Sequence, residues 1–344
     1  MAKKDSIITL SHGSGGIESQ KLITELFYHY LEGCVIGASE DAGVGEIKDK
    51  CAISTDGYTI SPLFFPGGDI GKLSVCGSCN DVAMMGAKPK YLTASFMIEE
   101  GFLIEDLKKI IESFSQTLKE SDTKLISGDT KVLPKGTLDK VFITTTAIGE
   151  FLYPHLQMSA FKIPQDSCIL VSGEIGNHGA VIYSKREEIS LHSTLKSDCA
   201  LLYPMLEELF KNNIQIYALR DATRGGIASV LNEWANTSNI GIEIQEESLP
   251  IRDEVRGICE LLGFEAYHLA NEGMCVLAIS KEDSTKALDI LKQSKLGKNA
   301  AIIGHTTATN SKKVVLKTTY GAKRFNYTTT KPLNLYFLNW IERF

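Results

Sequence analysis

The chain has 344 residues, 43% of them hydrophobic and 23% charged, with a formal net charge of −6. That is enough apolar material to pack two domains and too little net charge for a disordered chain. The acidic balance excludes a broad nucleic-acid surface, which needs clustered Lys and Arg, while a local pocket for an anionic small molecule stays open. No apolar run reaches the roughly 18 residues of a membrane span, and the stretch from Met1 to Ser6 has no apolar signal core. The eight cysteines are scattered and read as reduced thiols, so the expected location is cytoplasmic.

Strand-like and helix-like stretches alternate. Residues 51–55 read as a strand ending at Asp56-Gly57, residues 69–86 as a helix, and residues 90–98 as a second strand. Leu107, Ile110, Ile111, Phe114 and Leu118 follow helical spacing. Residues 124–127 and 141–148 read as strands, the latter rich in β-branched side chains. The stretch from Tyr153-Pro154 to Ile163-Pro164 interrupts the pattern and marks the expected boundary, with domains at 1–155 and 156–325 and a divergent tail at 326–344. A second α/β series follows, with strands at 168–172, 241–244, 274–280 and 300–304 and helices at 198–212, 225–237 and 283–292.

Aspartates keep company with glycines or stand at the ends of elements: Asp41, Asp56, Asp69, Asp81 and Asp129. Strand-end loops are where α/β proteins place ligands, and gathered carboxylates repel one another unless a hard cation compensates them. Any one of these acids is explained by an Asp-Gly turn or, for Asp69, by a helix N-cap. Five of them in the first 130 residues, with Lys131 behind Asp129, favour a Mg²⁺–nucleotide site.

Other signals are weaker. Residues 11–16 form a glycine-serine segment ahead of a helix near residues 21–31, without a Walker A sequence. Asn80 lies on the Asp69 helix and either caps a neighbouring loop or contacts ligand. Cys76 and Cys79 lie inside that helix and read as buried thiols, not as a zinc or redox pair. Arg220, Arg224, Gly225 and Gly226 at a helix start suit an anion, or Asp221 simply pairs with Arg224. Glu272 at a strand start reads as a base, a ligand or a turn residue. His178 reads as a solvent-facing loop residue.

Taken together, residues 12–16, 54–56, 62–73, 80–81, 83–87, 127–132, 172–173, 176–179, 220–226 and 270–273 resemble the hydrogenase-maturation carbamoyl dehydratases, the HypE family. That family shares a superfamily with aminoimidazole ribonucleotide synthetase, selenophosphate synthetase and thiamine monophosphate kinase. The Gly-Gly-Asp-Ile-Gly and Asn-Asp motifs mark the superfamily, while Phe64-Phe65-Pro66 and Asp129-Thr130-Lys131 point to this member. The leader from Ser11 to Ser19 lacks the reactive Cys and the Lys of a selenophosphate synthetase.

The resemblance implies a two-domain, PurM-like α/β architecture with mixed sheets, whose N-terminal sheet pairs with its twin in a homodimer barrel. It implies ATP-dependent dehydration of a cysteine thiocarbamate to a thiocyanate, the source of hydrogenase cyanide ligands. Carried over by position, Asp41, Asp56, Asp81 and Asp129 would hold Mg²⁺. ATP would be bound by these four with Asp69, Asn80, Gly128, Thr130 and Arg224, while Lys131 and Glu272 would be catalytic. The implied partners are a HypF-like carbamoyltransferase and a HypC/HypD-like iron scaffold, with no nucleic acid and no membrane. One departure stands out: the family tail ends Pro-Arg-Ile-Cys, its cysteine carrying the carbamoyl group, whereas this sequence ends at Glu342-Arg343-Phe344. The expectations that follow are a thiocarbamate presented by another protein, a replaced tail, or an ATP-binding maturation scaffold.

Overall fold

The computed structural model describes residues 7–13, 17–35, 45–189 and 194–326. In the first half, α1 (Ile17–Leu22) precedes β1 (Cys51–Tyr58) and the hairpin β2 (Phe64–Phe65) and β3 (Gly68–Asp69). Then come α2 (Ile70–Met84), β4 (Lys88–Glu99), α3 (Ile104–Ser121), β5 (Lys124–Leu133) and β6 (Val141–Glu150). The four long strands form one sheet in the order β1-β6-β4-β5, with β4 and β5 parallel and the other pairs antiparallel. Strict alternation along β6 turns Val141, Ile143 and Ala147 toward the helices. Helix α3 is amphipathic, and its five apolar positions are all buried, as their spacing predicts. Helix α2 is different: small and apolar residues on every side bury it almost completely. It starts where Asp69 Oδ1 accepts from Gly71 N at 2.7 Å and from Lys72 N at 3.0 Å, an N-cap.

The second half runs through β7 (Cys168–Val171), α4 (Asn177–Arg186), α5 (Tyr203–Lys211), β8 (Ile216–Asp221), α6 (Gly226–Thr237) and β9 (Gly241–Gln245). It continues with α7 (Asp253–Leu262), β10 (Cys275–Ile279), α8 (Ser284–Gln293), β11 (Ala301–Thr307), β12 (Val314–Thr318) and β13 (Gly321–Arg324). Its seven strands make a mixed sheet in the order β13-β12-β9-β11-β7-β10-β8. β10 is buried on both faces. Val276 and Ala278 join the core around Trp234, while Cys275, Leu277 and Ile279 join the core around Leu206 and Leu291. That burial explains its unbroken apolar run. The result is the mixed α/β, two-domain PurM-like fold that the resemblance implies.

Several elements differ from the sequence reading. β1 continues through Asp56-Gly57 to Tyr58, and β5 continues through Ser127–Lys131 to Leu133, because cross-strand pairing overrides local turn propensity. Residues 198–202 are not helical, and α5 begins at Tyr203. α4 and α7 add helices, and β8, β12 and β13 add strands, that the periodicity left unassigned. His178 is a correction: it lies inside α4 and is buried. Ser14–Gly16 and the segment beyond residue 326 lie outside the described residues. Among the described residues no helix is long and apolar enough to cross a membrane.

The halves share their interior. One apolar core joins Cys76 and Val82 of α2 to Ala180, Cys199 and Leu269, and another joins Met84 to Leu170 and Leu202. Asn80 seals the junction. Its Nδ2 donates to Ala200 O at 2.9 Å and to Glu272 O at 3.5 Å, and its Oδ1 accepts from Leu202 N at 2.9 Å. Of the two options for Asn80, the structure supplies the loop-capping one.

Candidate active site

A cleft of about 900 Å³ opens between the halves, a size in the upper range for small-molecule sites. Three elements furnish its acids. β1 turns Ser54 and Asp56 toward the helices, the last turn of α2 presents Asp81, and β8 ends at Asp221. Ser54 Oγ donates to Asp81 Oδ2 at 2.6 Å. Burial first, and then the neighbouring Asp81, pushes the Asp221 carboxyl up to about 7. Asp81 is also raised, by burial before the repulsion of Asp56, but the Ser54 hydroxyl and Arg220 favour its ionised form. Burial and mutual repulsion thus favour protonation of the Asp81–Asp221 pair. Carboxylates whose protonation is favoured by burial and then by mutual repulsion are a donor set suited to a hard divalent cation. Among the described residues, however, no three His, Cys, Asp or Glu side chains stand close enough to form a finished metal site.

The cleft also carries cations and apolar surface. Arg220 pairs with Glu233. Arg224 has no carboxylate partner among the described residues, so the Asp221–Arg224 pairing that the sequence allows does not form. Gly225 and Gly226 then adopt positive φ (73° and 59°) to start α6, which has no side-chain cap. A Cβ at Gly226 would also meet the Tyr267 carbonyl, so only glycine fits. Met84, Met85 and Phe161 complete the apolar side.

Glu272 stands behind the acids. Its carboxyl is raised well above the usual carboxylate range by burial first, and then by Cys199, Asp221, Asp198 and Asp56. Tyr58, buried with its hydroxyl 3.3 Å from Ser78 Oγ, feels Asp56, Glu272 and Asp81 as well. One chain thus gathers Asp56, Asp81, Arg224 and Glu272 around one region. Asp69 and Asn80 use their polar side-chain atoms in the cap and the domain junction. Asp41 lies outside the described residues.

Gly128, Asp129, Thr130 and Lys131 stand apart. Asp56, Thr145, Ala94 and Gly128 form one row across the sheet, from the β1 edge to the β5 edge. Three strand spacings separate the ends of that row by roughly 14 Å, too far for one cation to bridge. Asp129 and Lys131 approach each other to 3.6 Å, with 57% and 67% of their side chains exposed.

Sequence reasoning missed Tyr58 and Asp198 and gave Asp221 only a pairing role. A carboxylate at the end of a strand, flanked by two arginines, is the signal that could have raised Asp221. Cys76 and Cys79 are buried, as their helical position suggests, and burial pushes the Cys79 thiol up to about 12.

Comparisons with known proteins place the family and the fold. Residues 39–151 match the AIR synthase related protein N-terminal domain, and residues 165–317 match the corresponding C-terminal domain. The carbamoyl dehydratase HypE of Escherichia coli is 42% identical over 92% of this chain and 95% of its own. A crystal structure of hydrogenase maturation protein HypE in complex with ATP superposes with a TM-score of 0.90 at 37% identity, covering 94% of this chain and 98% of that one. HypE from a HypE–HypF complex superposes at 0.78 with 43% identity, over 89% of this chain and 99% of that one. On sequence and fold together, the chain belongs to the carbamoyl dehydratase HypE family of hydrogenase maturation proteins.

Proposed function

We propose that this protein carries out the ATP-dependent dehydration of a cysteine S-carboxamide to a thiocyanate, the precursor of cyanide ligands for a nickel–iron hydrogenase. The observation that carries the reading is the meeting of Asp56, Asp81 and Asp221 with Arg220 and Arg224 on one interdomain cleft. An amide oxygen is a poor leaving group. ATP supplies the phosphoryl group that makes it a good one, and phosphate departs as the amide nitrogen gives up its two protons. Glu272 in its ionised form takes one proton from that nitrogen and the departing phosphate carries off the other; burial, by raising the Glu272 carboxyl, strengthens it as a base. Lys131 holds the negative charge of the carbonyl oxygen. Asp56, Asp81, Asp41 and Asp129 would hold Mg²⁺, which spreads the charge of the triphosphate. Arg224, Gly128 and Thr130 orient the nucleotide, and Asp69 and Asn80 shape its surroundings through the fold.

The separation of Asp129 and Lys131 from Asp56 supports a homodimer. No helix of the described residues covers the outer face of the four-stranded sheet, where Ile53 is 64% exposed and Met97, Phe142 and Ile148 are partly so. Asp129 and Lys131 share that face, opposite Ser95 and Met97. A second copy packed there closes a barrel and lends its β5 edge to the site. A HypF-like carbamoyltransferase delivers the carbamoyl group, and a HypC/HypD-like iron scaffold receives the product.

ATP turnover driven by a carbamoylated-cysteine peptide tests both parts. Asp81→Asn and Lys131→Ala are each expected to lower it by about 10²-fold. Co-refolding the two variants in equal amounts restores roughly a quarter of wild-type turnover if the sites are shared between protomers. No recovery sinks the shared site. Wild-type turnover by Asp81→Asn sinks the reaction itself.

A further inference from the structure

We propose that Asp198 is a positioning residue for Glu272, and this rests on the reading of Glu272 as the base. Asp198 lies in the irregular stretch before α5, 74 residues from Glu272 in sequence, yet its carboxylate gathers the loop that carries it. Glu272 N donates to both Asp198 oxygens at 3.2 Å, Gly273 N donates to Oδ2 at 3.1 Å, and Asn271 Nδ2 donates to the same oxygen at 3.2 Å. The other side of the loop is held as firmly. Glu272 O accepts from Ala200 N at 3.3 Å, and Asn271 Oδ1 accepts from Gly176 N at 3.2 Å. Gly273 runs so close to Asp198 that a Cβ there would collide with the Asp198 carbonyl.

With its backbone donor and acceptor both engaged, Glu272 keeps only side-chain freedom. Asp198 therefore sets where the Glu272 carboxyl stands relative to Asp221 and Asp56. Only a carboxylate does this. It offers acceptors alone to three converging donor groups, whereas an asparagine would turn an N–H₂ against them. The arrangement matches the way supporting hydrogen bonds orient a reacting group held by rigid neighbours.

Asp198→Asn, with nearly unchanged volume, tests this in the full-length protein. The expected result is a kcat for peptide-driven ATP turnover lowered about 10- to 100-fold with KM for ATP within about twofold. The Glu272 and Gly273 amide proton resonances should move upfield as their bonds to the carboxylate are lost. Combining Asp198→Asn with Glu272→Gln should lower kcat no further than Glu272→Gln alone, because Asp198 acts through Glu272. Additive losses, a loss shared equally between kcat and KM with a lowered Tm, or wild-type kcat would each overturn the proposal while leaving the base assignment intact. Wild-type kcat in Glu272→Gln would overturn the base assignment instead, and the amide resonances would still report whether the strap forms.

Discussion

Glu272 and Lys131 are the two side chains read as catalytic, and the fold treats them in opposite ways. Glu272 sits on a part-buried loop whose backbone is strapped by Asp198, Ala200 and Asn80. Lys131 projects from an edge strand with a single, long, exposed ion pair to Asp129. An exposed pair of that kind orders a side chain very little. Under the proposed shared site, one chain finishes the proton-transfer half and leaves the charge-stabilising half open for a second copy.

Three substitutions sharpen or break that contrast. The largest effect belongs to the finished half: Glu272→Gln should cut kcat by about 10³-fold while nucleotide binding, measured by calorimetry, persists. The next comes from the support beneath the strap. His178 Nδ1 stands 2.8 Å from Ser197 Oγ, and burial lowers the imidazole to about 4. A group depressed on folding contributes stability above its unfolded value near 6.5, and that stability is lost as pH falls toward 4. Denaturant titrations should therefore show a loss of about 2 kcal/mol between pH 7 and pH 5, most of it absent in His178→Gln. The smallest effect belongs to the open edge. Asp129→Asn should shift stability by no more than about 0.5 kcal/mol, even as turnover falls. A large stability loss there would mean that β5 is already fully built in the single chain.

Much of this was legible in the sequence. The five apolar residues of α3, the alternation of β6 and the cap at Asp69 follow from local periodicity and capping chemistry. Of the five acids singled out, Asp56 and Asp81 line the cleft, whereas Asp69 caps α2, Asp129 stands apart and Asp41 lies outside the described residues; the resemblance named the family. Other features were hidden for physical reasons. Asp56-Gly57 and Ser127-Gly128-Asp129 look like turns, but partners far along the chain hold them as strands. Gly176-Asn177-His178-Gly179 also looks like a turn. There Gly176, at a φ of 83°, ends the loop so that Asn177 can begin a helix that buries His178. Asp198 carries little local signal, because Asn271, Glu272 and Gly273, which donate to it, lie more than 70 residues away.

The carboxamide of Asn80 has a consequence for motion. With both ends bonded across the junction, neither sheet can swing away without stranding polar groups in an apolar interior, at about 1–3 kcal/mol for each. The junction therefore resists hinge-like opening, and amide exchange in the two halves should slow and quicken in step.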